Sequence, residues 1–198
     1  MGNRPPEPRS VDIGTEPDSE PELIGPEMLD KSKILTRGNI IDLYNSMPAR
    51  LQCAPWKLTY STHVNGYSLL TMYRLMESVE GPVLVVVKDF QGTVFGVLTT
   101  DPLLIKPRWF GHLDSFLYTF KSKFRTYGPT FANYNCIACT PTCVRFGGSR
   151  SGLSGLYLGD DFCDGSSHVC DTYNNGILSK SEYFLIRSVE MWTFFDKF

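Results

Sequence analysis

Between Trp56 and Phe195 short apolar and β-branched runs alternate with turn residues, and only two stretches show helical spacing. Trp56-Lys-Leu-Thr-Tyr-Ser61 alternates apolar and polar positions, the two-residue period of a strand with one buried face. Asn65-Gly66 breaks it. Ser68 then stands at a cap position, because Leu69, Met72, Tyr73 and Met76 recur at three- and four-residue spacing and predict a helix to about Ser78. The β-branched runs 83–88 and 93–99 flank Asp89-Phe-Gln-Gly92, a hairpin signal. Further strands are predicted at 115–120, 124–127, 134–139, 143–146, 155–158 and 184–195. Ile34, Leu35, Ile40, Ile41, Leu43 and Tyr44 predict an early helix, capped by Asn39 and stopped by Pro48. Ser179 and Glu182 form a Ser-x-x-Glu pattern that predicts one more.

Eight or nine strands in a succession of hairpins, with two or three helices, predict a mainly β (α+β) fold. The expected architecture is a two-sheet antiparallel β-sandwich flanked by a few short helices, since a parallel sheet would need a helix between most strands. Residues 1–31 differ in kind: residues 1–30 hold six of the chain's 13 prolines, eight acids and no aromatic residue. Such a stretch buries too little apolar surface to offset its ordering entropy, so it is expected to be a disordered tail before a domain at 32–198.

Composition narrows the function classes. Residues 1–30 carry a net charge of −6 against −2 for the whole chain, leaving the remaining 168 residues at +4 with their bases scattered and no run of three, a poor match to a phosphate backbone. The longest aliphatic run, 83–87, is far too short to span a bilayer. The acidic, proline-rich start lacks the apolar core of a secretory signal, and Pro6 stands where a myristoylation signal wants Ser or Thr. Six cysteines without an export signal point to free thiols in the cytoplasm or nucleus.

Candidate chemistry is sparse. Cys136-x-x-Cys139-x-x-x-Cys143, with Cys163, His168 or Cys170, has the elements of a zinc site, but 136 and 139 would face opposite ways on one regular strand. Packed apolar thiols are the better reading. His168, Cys170 and Asp171 lack any nucleophile signature, and the glycines at 147, 148, 152 and 155 lack the Gly-Lys-Ser/Thr of a phosphate loop. Asp160, Asp161 and Asp164 lack the ligand spacing of a calcium loop and read as a solvated turn. No catalytic residue, metal or cofactor is assigned. Gly165 opens a tight loop to Asn174 in which an architectural role is expected. If its φ is positive, Gly165→Val should cost at least ~1 kcal/mol.

The ordered succession of motifs says more. It comprises Trp56-x-Leu-x-Tyr-Ser-Thr, Asn65-Gly66-Tyr-Ser68-Leu-x-Thr-Met-Tyr73-Arg, Gly81-Pro-Val-Leu-Val-Val-Val-Lys-Asp89, Gly92-x-Val-Phe-Gly96, Gly111-x-x-x-Ser115-Phe-Leu-Tyr-Thr-Phe120, Gly155-Leu-Tyr-Leu158, Gly165-x-Ser-x-x-Cys170-x-Thr-Tyr-Asn174 and Val189-Glu190-x-Trp192. From about residue 32 to the end this resembles a TLDc domain, the module of the oxidation-resistance proteins, and the whole chain is similar to the small proteins built on that domain. Departures fall at Tyr127-Gly128-Pro129, at the shortened loop 147–150 and at Tyr157, where the family has Trp.

The resemblance implies a two-sheet sandwich, no enzymatic activity, and a part in resistance to oxidative stress. It also implies binding to the peripheral catalytic sector of the vacuolar proton-pumping ATPase, with an effect on the pump's assembly or activity, and hence association with acidic organelles. Glu190, His112, Asp114, Asp160 and Asp161 are the candidate partner-binding residues. Glu190, inside an apolar strand, is expected either to face solvent or to accept hydrogen bonds at the rim of the sandwich. Glu190→Gln is then expected to leave thermal stability near normal and weaken association. The alternative is thiol-dependent peroxide removal or redox sensing centred on Cys163 and Cys170.

Overall fold

A computed structural model describes residue 1 and residues 25–195. Helices α1 (Arg37–Ser46) and α2 (Ala49–Gln52) precede β1 (Trp56–Ser61), α3 (Thr62–Asn65) and α4 (Leu69–Met76). Nine strands follow: β2 (Val83–Asp89), β3 (Val94–Thr99), β4 (Phe116–Thr119), β5 (Arg125–Tyr127), β6 (Ile137–Thr140), β7 (Cys143–Gly148), β8 (Ser154–Gly159), β9 (Asp164–Ser166) and β10 (Tyr183–Phe194). All the ladders are antiparallel.

The long strand β10 joins the two sheets. Its residues 186–193 pair with β2, and β1 lies along its other edge, in the sheet β5-β4-β3-β2-β10-β1. Its first residues, 183–185, pair with β9 in the second sheet, β9-β8-β7-β6. The register slips between Ile186 and Ser188, where the strand passes from one sheet to the other.

Val83, Val85 and Val87 of β2 face the core between the sheets, against Ile137, Val144, Phe146, Leu156 and Leu158. Leu84 and Val86 face the opposite way, into a second core with Trp56, Trp192, Tyr118, Leu43, Met47 and Leu51 beneath the N-terminal helices. A strand covered on both faces needs no polar alternation, which explains the unbroken aliphatic run.

Several expectations change. The cap of α1 is Thr36: its side chain accepts from the Asn39 N–H at 3.2 Å, while Asn39 Oδ1 accepts from the Thr36 N–H at 3.1 Å. Asn39 is the third helical residue of this reciprocal box, so the helix starts three residues earlier than a cap at Asn39 would have it. No helix forms at Ser179, which is buried and donates to Asp89 Oδ2 at 2.5 Å. The other Asp89 oxygen caps the β2–β3 turn through the Thr93 N–H, so a long-range anchor displaces the local capping pattern. β9 has three residues, too few to show a period. Cys136 precedes β6, so it reaches the same core as Cys139 and escapes the opposite-face rule of a regular strand.

Folded contacts begin before residue 32. Trp56 N–H donates to the Glu27 carbonyl, Leu29 N–H donates to the Trp56 carbonyl, and Met28 forms a parallel bridge beside β1. The rest of the expected tail, residues 2–24, lies outside the described residues, as do 196–198. No helix among the described residues is long and apolar enough to cross a membrane.

Candidate functional site

Glu190 is only 1% exposed. Its Oε1 accepts from the Lys33 backbone N–H at 2.7 Å, and its Oε2 accepts from Ser32 Oγ at 2.6 Å and Trp192 Nε1 at 3.1 Å. Ser32 Oγ in turn accepts from the Ile34 and Leu35 N–H groups. Three donors satisfy a carboxylate that would otherwise be costly to bury. The hydrogen-bonded alternative therefore holds, and the solvent-facing and partner-surface readings of Glu190 do not. Burial, with the Glu190 charge adding to it, holds the Tyr118 phenol well above its ordinary range.

A second buried polar group lies between the sheets, where Ser115 Oγ and Tyr173 Oη are 2.7 Å apart and Ser115 Oγ donates to the His112 carbonyl. Burial raises the Tyr173 phenol and the Cys136 thiol beside it. It also raises Cys170 and pushes Cys139 up to about 12. Cys163 is exposed, yet its hydrogen bond with Asp161 raises it too. A reactive thiol needs the opposite shift. No hydrogen bond joins His168 to Cys170: the His168 ring meets Tyr183 edge-on at 5.4 Å, with its Nδ1 3.9 Å from Glu182. Among the described residues no group of three His, Cys, Asp or Glu is placed to hold a metal.

The other candidate residues fall into two separate exposed places. His112 Nδ1 lies 2.9 Å from Asp101 Oδ2, and Asp114 lies 3.9 Å from Arg50, both at the surface before β4. Asp160 and Asp161 occupy the turn after β8, where the Asp160 carbonyl accepts the Leu69 N–H and Asp161 Oδ1 accepts the Cys163 N–H. These bonds hold the turn against the start of α4. Val64, Tyr67 and Leu70, all exposed, surround the same corner, and Tyr67 Oη donates to the Arg187 carbonyl at 2.6 Å. The sequence reading missed this apolar trio, because Val64 and Leu70 sit on the exposed sides of α3 and α4, outside the spacing that marks a buried face, and Tyr67 lies between the two helices.

A family model described as the TLDc domain matches residues 28–195. The chain belongs to the TLDc domain family. Among its relatives, Nuclear receptor coactivator 7 of Gallus gallus is 40% identical over 169 residues, covering 85% of this chain and 18% of the relative. Oxidation resistance protein 1 of Xenopus laevis is 38% identical over 177 residues, or 89% and 20% of the two chains. Nuclear receptor coactivator 7 of Homo sapiens is 37% identical over 177 residues, or 89% and 19%. The chain spans about a fifth of the length of these relatives.

The TLDc motif positions of this chain sit at packing constraints. Trp56 and Trp192 pack at 6.4 Å beneath the helical layer, and Ser68 caps α4 by accepting the Thr71 N–H. A Cβ on Gly96 would lie 1.9 Å from the Val85 carbonyl oxygen, the atom to which Tyr118 Oη donates across β3. Gly155 leaves room for Leu117 and Cys170. Gly66 and Gly111 take positive φ, of 77° and 96°. Gly165 does not: an added Cβ would lie 2.6 Å from both Phe184 Cε2 and the Tyr157 carbonyl oxygen, so crowding and not conformation requires glycine there.

Proposed function

We propose that the chain is a non-catalytic TLDc interaction module that binds the peripheral catalytic sector of the vacuolar proton-pumping ATPase and modulates its assembly or activity, contributing to oxidative-stress resistance. What carries this reading is the family match over residues 28–195, with relatives named for oxidation resistance. The raised thiols, Cys163 included, weigh against the peroxide-removing alternative. The contact is assigned to the corner formed by Asp160, Asp161, Val64, Tyr67 and Leu70, where acids border exposed apolar side chains. Fixed backbone bonds pre-form this corner, which lowers the ordering cost of binding. The action takes place in the cytoplasm or nucleus, or at acidic organelles through the pump.

Co-sedimentation of the purified protein with the isolated sector tests the proposal. The expected result is micromolar binding that weakens at least tenfold on combining Leu70→Ser with Asp160→Asn. Absence of binding at that concentration overturns the reading, and unaltered binding by the double variant overturns the assignment of the corner.

A further inference from the structure

The β4–β5 hairpin carries Lys121, Lys123 and Arg125 at alternate positions, all exposed. β5 is the terminal strand of its sheet, and its residues make no backbone bond beyond the ladder to β4. Beside it runs a groove lined by Thr119, the three bases, Tyr127 and Ile177. The segments that form the groove, 115–131 and 172–181, contain those bases and Lys180 but no acid. Among the described residues none of the three bases has an ion-pair partner.

One charge is enough to guard an open edge against indiscriminate pairing. Three unpaired bases at a two-residue period, beside a groove with an aromatic wall, exceed that need. We propose that the β5 edge docks an acidic, extended segment of a partner protein by strand addition. Backbone groups of the added strand would satisfy the open side of Arg125–Tyr127, and its acids would meet Arg125 on the strand and Lys121 and Lys123 in the adjoining turn. The chain's own acids nearest the fold are a poor source, and the earlier ones, Glu16 and Asp18 among them, are covered by the test below. β5 lies five strand spacings from β1, about 24 Å, whereas Glu20 and Glu22 stand too close to Gly25 to cross that distance at about 3.5 Å per residue. The proposal is independent of the pump reading.

The test uses the full chain and a fluorescein-labelled octapeptide of alternating Glu and Val, followed by anisotropy. Saturable micromolar binding is expected, with at least tenfold loss in Lys121→Glu/Lys123→Glu/Arg125→Glu and slowed amide exchange at residues 125–127 on saturation. If the triple variant melts early, Lys121→Gln/Lys123→Gln, which alters only the turn, makes the same comparison. Equal affinity of the charge-altered protein overturns the proposal. So does equal binding of the same Glu-Val peptide N-methylated at every residue, which cannot donate ladder bonds. Binding to phosphatidylserine vesicles without peptide binding would overturn it in favour of a lipid surface. A tenfold gain in peptide affinity on neutralising Glu16, Asp18, Glu20 and Glu22 would show that the chain's own tail holds the edge.

Discussion

The carboxylate of Glu190 holds the backbone of Lys33 at 2.7 Å across 157 positions of sequence. The bond ties the segment before α1 to the strand shared by both sheets, adding a polar anchor to the helical layer that packs over Trp56 and Trp192.

Glu190→Gln is therefore expected to destabilise, contrary to the stability expected of an exposed or rim position. The carboxylate accepts three bonds, whereas an amide replaces one acceptor oxygen with a donor facing other donors. A cost of about 1–3 kcal/mol follows, lowering Tm by about 2–4 °C per kcal/mol at this size. A thermal melt and amide exchange over residues 28–36 check it, and an unchanged Tm would rule out the anchor.

Gly66 and Gly165 should both resist asparagine, for different reasons. Gly66 has φ +77° and ψ 177°, a region open essentially to glycine alone, so Gly66→Asn should cost about 1–3 kcal/mol through backbone strain even though the space around its Cβ position is open. Gly165→Asn must displace Phe184 or part β8 from β9 and should cost more than ~2 kcal/mol. Urea unfolding of the two variants measures both losses, and a variant at either position as stable as the parent would contradict the strain at Gly66 or the crowding at Gly165.

Alkylation should reveal the partner of Cys163. Its thiol pKa is raised chiefly by the hydrogen bond with Asp161, so removing that acceptor should bring the pKa down and increase the thiolate fraction near pH 8. Asp161→Ala should accordingly speed iodoacetamide modification of Cys163 and shift its pH profile to lower pH. A rate that stays the same or slows would exclude this cause.

Alkali should expose the buried phenols. Burial raises Tyr60 to about 12, and raises Tyr73, Tyr118 and Tyr173 as well. The phenols are neutral in both states below the ordinary value near 10, so their contribution to stability is complete there. It falls as the unfolded chain ionises above that pH. Tm should decline from about pH 10 upward, with tyrosinate absorbance at 295 nm rising in step with unfolding. Full tyrosinate absorbance in the folded protein at pH 11 would refute the assignment.

Most strands, the Ser68-capped helix and the sandwich class were legible because they rest on local periods: two residues for half-buried strands, three or four for α4. Cys136, Cys139 and Cys170 pack in the core as apolar thiols were expected to, whereas Cys53 and Cys163 are exposed. Of the candidate partner residues, the sequence placed Asp160 and Asp161 correctly in a turn but gave no sign of Val64, Tyr67 and Leu70 beside them.

What the sequence determined by itself was the order of elements, their class and the family, since each is written in nearest-neighbour spacing and in the succession of motifs. What only the tertiary structure decided was the meaning of particular polar and glycine positions. Glu190 reads as a surface acid until Ser32 and Lys33 arrive from the other end of the chain. Ser179 reads as a helix cap until Asp89 claims its hydroxyl. Gly165 reads as a turn until Phe184 and Tyr157 close over it. In each case the deciding atom lies far away in sequence, and the free energy of satisfying a buried charge or filling a core exceeds the fraction of a kcal/mol by which local propensity separates the alternatives.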